Sequence, residues 1–452
     1  MSIFKNILFK IATAAAVMFA ASPFVQAQTY GSYSPYSIFG VGDLAMSGSA
    51  WNRSMGGVGI AGRNNRFINP LNPASVTARD SLAAMIDFSL YEDNKVFSQG
   101  DMKSAYNTCN IGDLIMSFPI WKSSAFMVGI MPYSSTGYNY GSEVTDLETI
   151  AKVGNAGYTA SGQGSLYQMF AAAGVTFWKR LSLGVEGIYY FGANTKKYYQ
   201  IISDASYNEA SNGFSMNLKA TSAKFGLQYE EKFRKGTSLC IGATYTLGTN
   251  LDGYVENFRY SSGSAASDTL KYSLDTLSHG RAADRVRLAS EIGIGVSLKM
   301  GGKFMAELDY TRSDWRNTNM DKVGGFAANT IVSSGSSVFA TSVSEAFRAG
   351  FEYVPNRNDI RYYYKKIAYR GGAYMKNDYF TVDGNGIRSV GITIGATLPV
   401  YNEIAHSYSG FTVGMEIGSR GSIKNNLVRE NYINFSFGVN LNDRWFQKRQ
   451  YY

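Results

Sequence analysis

Nine charged residues stand at positions that share one side of alternating apolar/polar segments: Glu186, Arg287, Glu291, Glu307, Asp309, Arg348, Glu352, Arg370 and Glu416. Carboxylates and guanidiniums of both signs on one wall can grip each other, a plug or a polar ligand. Mixed signs argue against strong ion selectivity. Catalysis is excluded on other grounds. Acid–base or nucleophilic work at neutral pH usually needs a histidine beside its partner. The chain has two, His279 and His406, and neither sits in a Ser- or Asp-bearing constellation. No Walker loop or zinc-ligand spacing is present, so no cofactor and no metal are expected. Gly57-Val58-Gly59-Ile60-Ala61-Gly62 matches a dinucleotide-binding glycine pattern, but Arg63-Asn64-Asn65-Arg66 and two prolines follow where a helix would be needed. Close backbone packing, where a Cβ would clash, is the better reading of these glycines.

The elements that carry the charges are period-2 segments. In 303–311, Phe304, Ala306, Leu308 and Tyr310 oppose Lys303, Glu307 and Asp309; in 411–418, Phe411, Val413, Met415 and Ile417 oppose Thr412, Gly414, Glu416 and Gly418. The same rhythm marks 14 strands: 82–91, 111–120, 124–133, 165–177, 181–192, 214–230, 237–247, 286–299, 303–311, 345–354, 365–375, 387–399, 409–418 and 431–440. The gaps between them alternate short and long. Short gaps include 121–123, 178–180, 233–236, 300–302, 355–358 and 400–408; long ones are 92–110, 134–164, 193–213, 248–285, 313–344, 376–386 and 419–430. Amphipathic strands of about ten residues, joined alternately by tight turns and long loops, are the pattern of an outer-membrane barrel with periplasmic turns and external loops. The fold class expected is all-β, a 14-stranded antiparallel transmembrane β-barrel with an N-terminal lumenal hatch. Trp121, Trp178, Trp315 and Trp445 fall at strand ends, where interfacial aromatics sit.

Composition agrees. Charged residues make up 17% of the chain, while Gly numbers 48, Tyr 33 and Phe 27. The net charge of +9 is scattered, apart from the block Arg361 to Lys366, so no nucleic-acid partner is expected. Lys5, Lys10, the apolar run Ile11–Ala21 and Val25-Gln26-Ala27 read as a signal peptide over 1–27. Residues 28–81 break the rhythm, with Gly, Pro and Asn every few positions, and read as an N-terminal hatch or plug at the periplasmic mouth. The barrel is expected over 82–441 and a periplasmic tail over 442–452, where Trp445 and Phe446 supply a C-terminal aromatic for the barrel-assembly machinery. Cys109 and Cys240 have neither metal-site nor redox spacing and are expected as free thiols.

Several motifs together carry a resemblance. They are Met55 to Gly62, Asn72-Pro73-Ala74, Met131-Pro132-Tyr133-Ser134, Asp309-Tyr310 with Asp314-Trp315, and Tyr369-Arg370-Gly371-Gly372. In this order, over nearly all of the mature chain, they resemble the FadL-type family of outer-membrane transporters for hydrophobic compounds, in the form common in Bacteroidetes-type bacteria. The resemblance implies a hatch containing Gly56, Gly57, Gly59, Asn72, Pro73 and Ala74. It also implies a lateral-gate strand at Gly129, Met131 and Pro132, although Pro132 reads equally as the end of the third strand. The expected function is passive uptake of fatty-acid-like or aromatic molecules by hatch movement and lateral exit. The expected partners are a hydrophobic small-molecule ligand, outer-membrane lipid and lipopolysaccharide, and the barrel-assembly machinery. The alternatives are a non-transporting, FadL-like subunit of an envelope or secretion machine of type IX kind, with envelope protein partners, and a general porin. The loops 134–164 and 248–285 carry few large apolar groups, which weakens a greasy capture groove.

Overall fold

The computed structural model describes residues 30–444 apart from 47, 81–82, 122, 145, 203–209, 234–235, 262–267, 275–284, 328–338 and 403–406. The signal segment 1–27, the tail from Trp445 onward with Phe446, and both His279 and His406 lie outside the described residues.

Fourteen antiparallel strands follow one another around a closed barrel. They are β1 Ala83–Gln99, β2 Met102–Trp121, β3 Ser124–Glu143, β4 Ala156–Phe177, β5 Leu181–Ile202, β6 Ala210–Lys232, β7 Ser238–Thr246, β8 Glu291–Met300, β9 Phe304–Asp314, β10 Val343–Tyr353, β11 Ala368–Val382, β12 Asn385–Asn402, β13 Ser407–Gly421 and β14 Arg429–Arg444. Each pairs with the next, and β14 returns to β1 through partners such as Val439 and Phe88, which closes the ring. Alternation sets which side chains look out. Leu308 is 63% exposed while its neighbours Glu307 and Asp309 are 1% and 5% exposed. Ile294, Phe347, Ile392, Phe411 and Ile433 repeat this outward apolar face around the ring. A continuous apolar band of this kind is sheltered in lipid and costly in water.

All 14 sequence segments form strands, but most run further at their outer ends than the alternation marks. The supposed loop 92–110 is a continuous β1–β2 hairpin turning at Gly100–Asp101. Beyond the bilayer neither face meets lipid, so the alternation fades while the hydrogen-bond ladder continues. Much of 248–285 is also ordered: Asp252–Ser261 pairs with the outer half of β6 and with Asp268–Ser273. Arg287 is displaced from its expected place. It lies in an external two-residue pairing with Asn250, exposed and ahead of β8, so it is not a lumen charge. The turn after β10 spans 354–367 rather than 355–358, with Ile360 and Tyr364 exposed at its surface. Trp121 and Trp178 are 76% and 82% exposed at the short-turn end, as interfacial rings are, but Trp315 is buried with its ring 4.6 Å from that of Tyr379. Its place just past a strand end is the same; the external loops cover it. Cys109 lies on β2 and Cys240 on β7, and no disulfide joins them.

Candidate functional site: the lumenal segment, a gap in the wall and the cavity between them

Residues 48–80 fill the lower lumen with almost no regular structure, so their backbone groups must find partners on the wall. The glycine-rich stretch provides a row of amides. Gly59 and Ile60 donate to Asp309 Oδ2 at 2.7 and 3.0 Å, and Ala61 donates to Glu307 Oε1 at 2.9 Å. Gly56 donates to Thr393 Oγ1 at 2.7 Å, with φ +73°, a left-handed conformation that suits glycine. Trp51 Nε1 and Arg370 Nε both donate to Glu352 Oε2, at 3.1 and 2.9 Å. The Arg370 guanidinium lies 4.7 Å from the Phe67 ring centroid, and Phe67 stacks on Trp51. Arg63 reaches Ser182 and Gln228, each at 2.9 Å.

Asn72-Pro73-Ala74 builds a cap. The Asn72 side chain accepts from Ala74 N at 3.0 Å, opening the 3-10 turn Pro73–Ala78, and donates to the carbonyl of Ile60 at 2.7 Å. Burial raises the cost of ionising nearby Arg79 and brings its pKa down to about 10; it still bonds Ser117 at 2.9 Å. The wall has no room to spare here. Gly174, Gly184 and Gly226 are successive cross-strand partners facing Pro73 and Asn72, and a Cβ on Gly184 would run into the Pro73 carbonyl. Gly350 and Gly372 form another such pair, facing the Met55 backbone.

Residues 30–46 behave differently. β2 and β3 pair only as far as Leu114 with Ile130. Above that level β2 continues along β1 to Met102, and β3 continues along β4 to Glu143, so the two edges part. Pro132, two residues past the last pair, has no N–H to offer β2, and the β3–β4 register slips between Pro132 and Ser134. Pro132 therefore does not end the third strand, which runs on for 11 residues to Glu143. Gly129 and Met131 precede it on the inner face; Met131 is buried, and a Cβ on Gly129 would stand 2.8 Å from Phe170.

The N-terminal segment occupies the parted edge. Asp43 and Leu44 pair with Ser135 and Ser134 of β3, and Ala45 N donates to the Tyr133 carbonyl at 2.9 Å. Ser34 N donates to the Gly137 carbonyl at 2.7 Å. On the β2 side the contacts come from side chains: Asn110 Nδ2 donates to the Gly31 carbonyl at 2.7 Å, and Tyr33 stacks on Tyr106 at 4.1 Å. Higher up, Lys196 donates to the carbonyls of Ile38 and Gly325, both at 2.7 Å, and Phe39 stacks on Phe339 at 5.2 Å. The segment thus spans the lumen up to the external loops, instead of lying only at the periplasmic mouth. Tyr36 hydrogen-bonds the Val428 carbonyl at 2.6 Å; burial and, secondarily, Glu430 raise its phenol to about 12, so it remains a donor at neutral pH.

Between these two parts lies a cavity of about 300 Å³. Leu44 and Met46 of one part and Pro70 and Leu71 of the other line it, and Met131 and Tyr133 border it at the parted edge. Among the charged residues singled out in the sequence, Glu186, Glu291, Arg348 and Glu416 border this cavity, whereas Glu307, Asp309, Glu352 and Arg370 bind the segment below. Sequence reasoning missed a cluster. Arg420 meets Asp43 at 2.9 Å, Asp378 at 2.7 Å and Glu430 at 3.5 Å, with Lys95 3.6 Å from Asp43. Lys95, Asp378, Arg420 and Glu430 stand on the outer strand ends where alternation gives no signal.

A closed barrel of 14 strands, apolar outside and occupied inside by its own N-terminal segment, defines an outer-membrane protein of FadL-type architecture. The chain belongs to the BamG family, whose model matches residues 6–452. No curated protein matches it in sequence. Solved structures share the fold at low identity. The Pseudomonas aeruginosa FadL homologue is 9% identical, with 89% of this chain and 100% of that one covered at a TM-score of 0.57. The P. putida toluene transporter TodX is 12% identical over 88% and 99%, also at 0.57. The CymD monoaromatic hydrocarbon channel is 12% identical over 90% and 99%, at 0.55.

Proposed function

We propose that this barrel is a passive uptake route for small molecules with hydrophobic bodies, fatty-acid-like or aromatic, and that they leave sideways between β2 and β3 into the outer-membrane lipid. The observation that carries the reading is the parted edge above Leu114 and Ile130, which borders the lumenal cavity and is spanned by residues 30–46 in place of a strand–strand ladder. Moving that segment exposes the cavity to lipid without breaking the barrel. Lateral exit suits an apolar cargo, which never has to cross the aqueous periplasm in free form. Residues 48–80 act as a fixed plug against the periplasm, and residues 30–46 as the hatch that moves.

The test is a covalent lock. Leu44→Cys and Ser134→Cys, made in a Cys109→Ser background, place two thiols at directly paired positions. Oxidation should stop uptake of a radiolabelled aromatic hydrocarbon into outer-membrane vesicles, and reduction should restore it. Equal uptake in the locked and reduced states would sink lateral exit by this route.

A second reading is favoured by a specific observation: the described segment is tied at its upper end through Lys196, which bonds the carbonyls of Ile38 and Gly325, and at its lower end packs closely against wall glycines. A barrel that never opens would serve as a non-transporting subunit of an envelope machine, with envelope proteins as its partners. Under that reading the locked and reduced forms are both inactive in uptake.

A further inference from the structure

The cavity has two electrostatically unlike halves. Around Arg420, the carboxylates of Asp43, Asp378 and Glu430 are neutralised by close ion pairs. The wall at β5 and β6 is paired less closely. Glu186 on β5 is 5% exposed, borders the cavity, and has no hydrogen-bond partner for its Oε2. Lys224 is its cross-strand neighbour on β6, yet among the described residues no ion pair joins the two. Glu291 on β8 borders the same cavity. Aromatic surface surrounds them. Tyr133 and Tyr190 meet edge to face with centroids 4.7 Å apart, and Phe170 and Ile188 line the wall beside them.

A carboxylate with a buried oxygen that lacks a hydrogen bond, set next to aromatic faces, is the chemistry that holds an organic cation, through Coulomb attraction and the ring quadrupoles together. A plain hydrocarbon would leave the buried Glu186 Oε2 without a hydrogen bond, which is costly. An anionic cargo would meet two like charges. We propose that this half of the cavity binds an ammonium group carried on an aromatic or aliphatic body, with Glu186 as its counter-ion, Glu291 as a second acid and Tyr133 and Tyr190 as the ring faces. The inference rests on the uptake reading for its biological role, and it narrows that reading's cargo to a cationic amphiphile in place of a fatty-acid anion.

The test is isothermal titration of the full-length barrel in lipid nanodiscs with three probes of one shape: 2-phenylethylamine, 2-phenylethanol and 3-phenylpropionate. The amine should bind at least about tenfold more tightly than the alcohol, and the acid most weakly. Glu186→Gln should remove most of the amine's advantage while leaving the alcohol unchanged, and Lys224→Met should tighten the amine. If Glu186→Gln fails to fold, Glu291→Gln, at a residue more open to the cavity, should weaken the amine several-fold. Equal binding of amine and alcohol, or amine binding unaffected by these substitutions, overturns the subsite. The two ideas fail separately. Amine binding without uptake in the lock experiment removes transport and keeps the subsite; uptake of neutral hydrocarbons without amine preference does the reverse.

Discussion

The two parts of the N-terminal segment are held in opposite ways. Residues 48–80 press backbone against backbone: wall glycines leave space that a single Cβ would fill, and carboxylates on β9 receive the plug's amides at 2.7 to 3.0 Å. Residues 30–46 are joined to β3 by a short ladder and to β2 by side chains alone. The lower part is packed into the wall, whereas the upper part is hung on it mostly by side chains. Shifting the lower part breaks buried, charge-assisted hydrogen bonds and disrupts packing all round the ring. Shifting the upper part spares the wall's glycine packing but breaks a two-pair ladder, ring contacts at the seam and side-chain bonds that reach beyond it, among them Asp43 with Arg420, Tyr36 with Val428 and Lys196 with Ile38.

Substitutions that strike one part and spare the other test that contrast. Gly184→Val should have the largest effect, because its side chain would collide with the Pro73 carbonyl; about 3 kcal/mol of stability should be lost in a urea titration of the refoldable barrel. Asp309→Ala leaves the buried amides of Gly59 and Ile60 without their acceptor and should cost about 2 kcal/mol in the same titration. Asn72→Ala removes the cap on Pro73–Ala78 and should cost about 1 kcal/mol. Tyr33→Ala, which strips the stack on Tyr106, should cost no more than about 1 kcal/mol but should speed hydrogen exchange at Gly137, with no change at Gly59. If Tyr33→Ala destabilised as much as Gly184→Val, the two parts would be one rigid plug.

Much of the frame was legible in the sequence. Alternation such as Phe304-Ala306-Leu308 against Glu307-Asp309 identified the wall strands and their inner face, because lipid on one side and a lumen on the other impose period 2 on every spanning segment. The break in rhythm at 28–81 singled out the lumenal segment, and Asn72-Pro73-Ala74 marked one of its turns. What the pattern could not carry is pairing between distant positions. Nothing local to Asp309 says that it receives the amides of Gly59 and Ile60, some 250 residues away. Arg287 and Trp315 misled because external loops fold back over the barrel with no membrane to enforce a period. The parted edge had one hint, Pro132, and a proline alone cannot distinguish a strand end from a strand that has lost one neighbour.

The most direct measurement is residue-resolved hydrogen exchange on the intact barrel in lipid nanodiscs, comparing the seam with the plug. The amides of Ser34 and Ala45 should exchange at least about tenfold faster than those of Gly59, Ile60 and Ala61 under identical conditions. Equal protection of both sets would contradict that, and would mean that the barrel holds its N-terminal segment as a single immobile body.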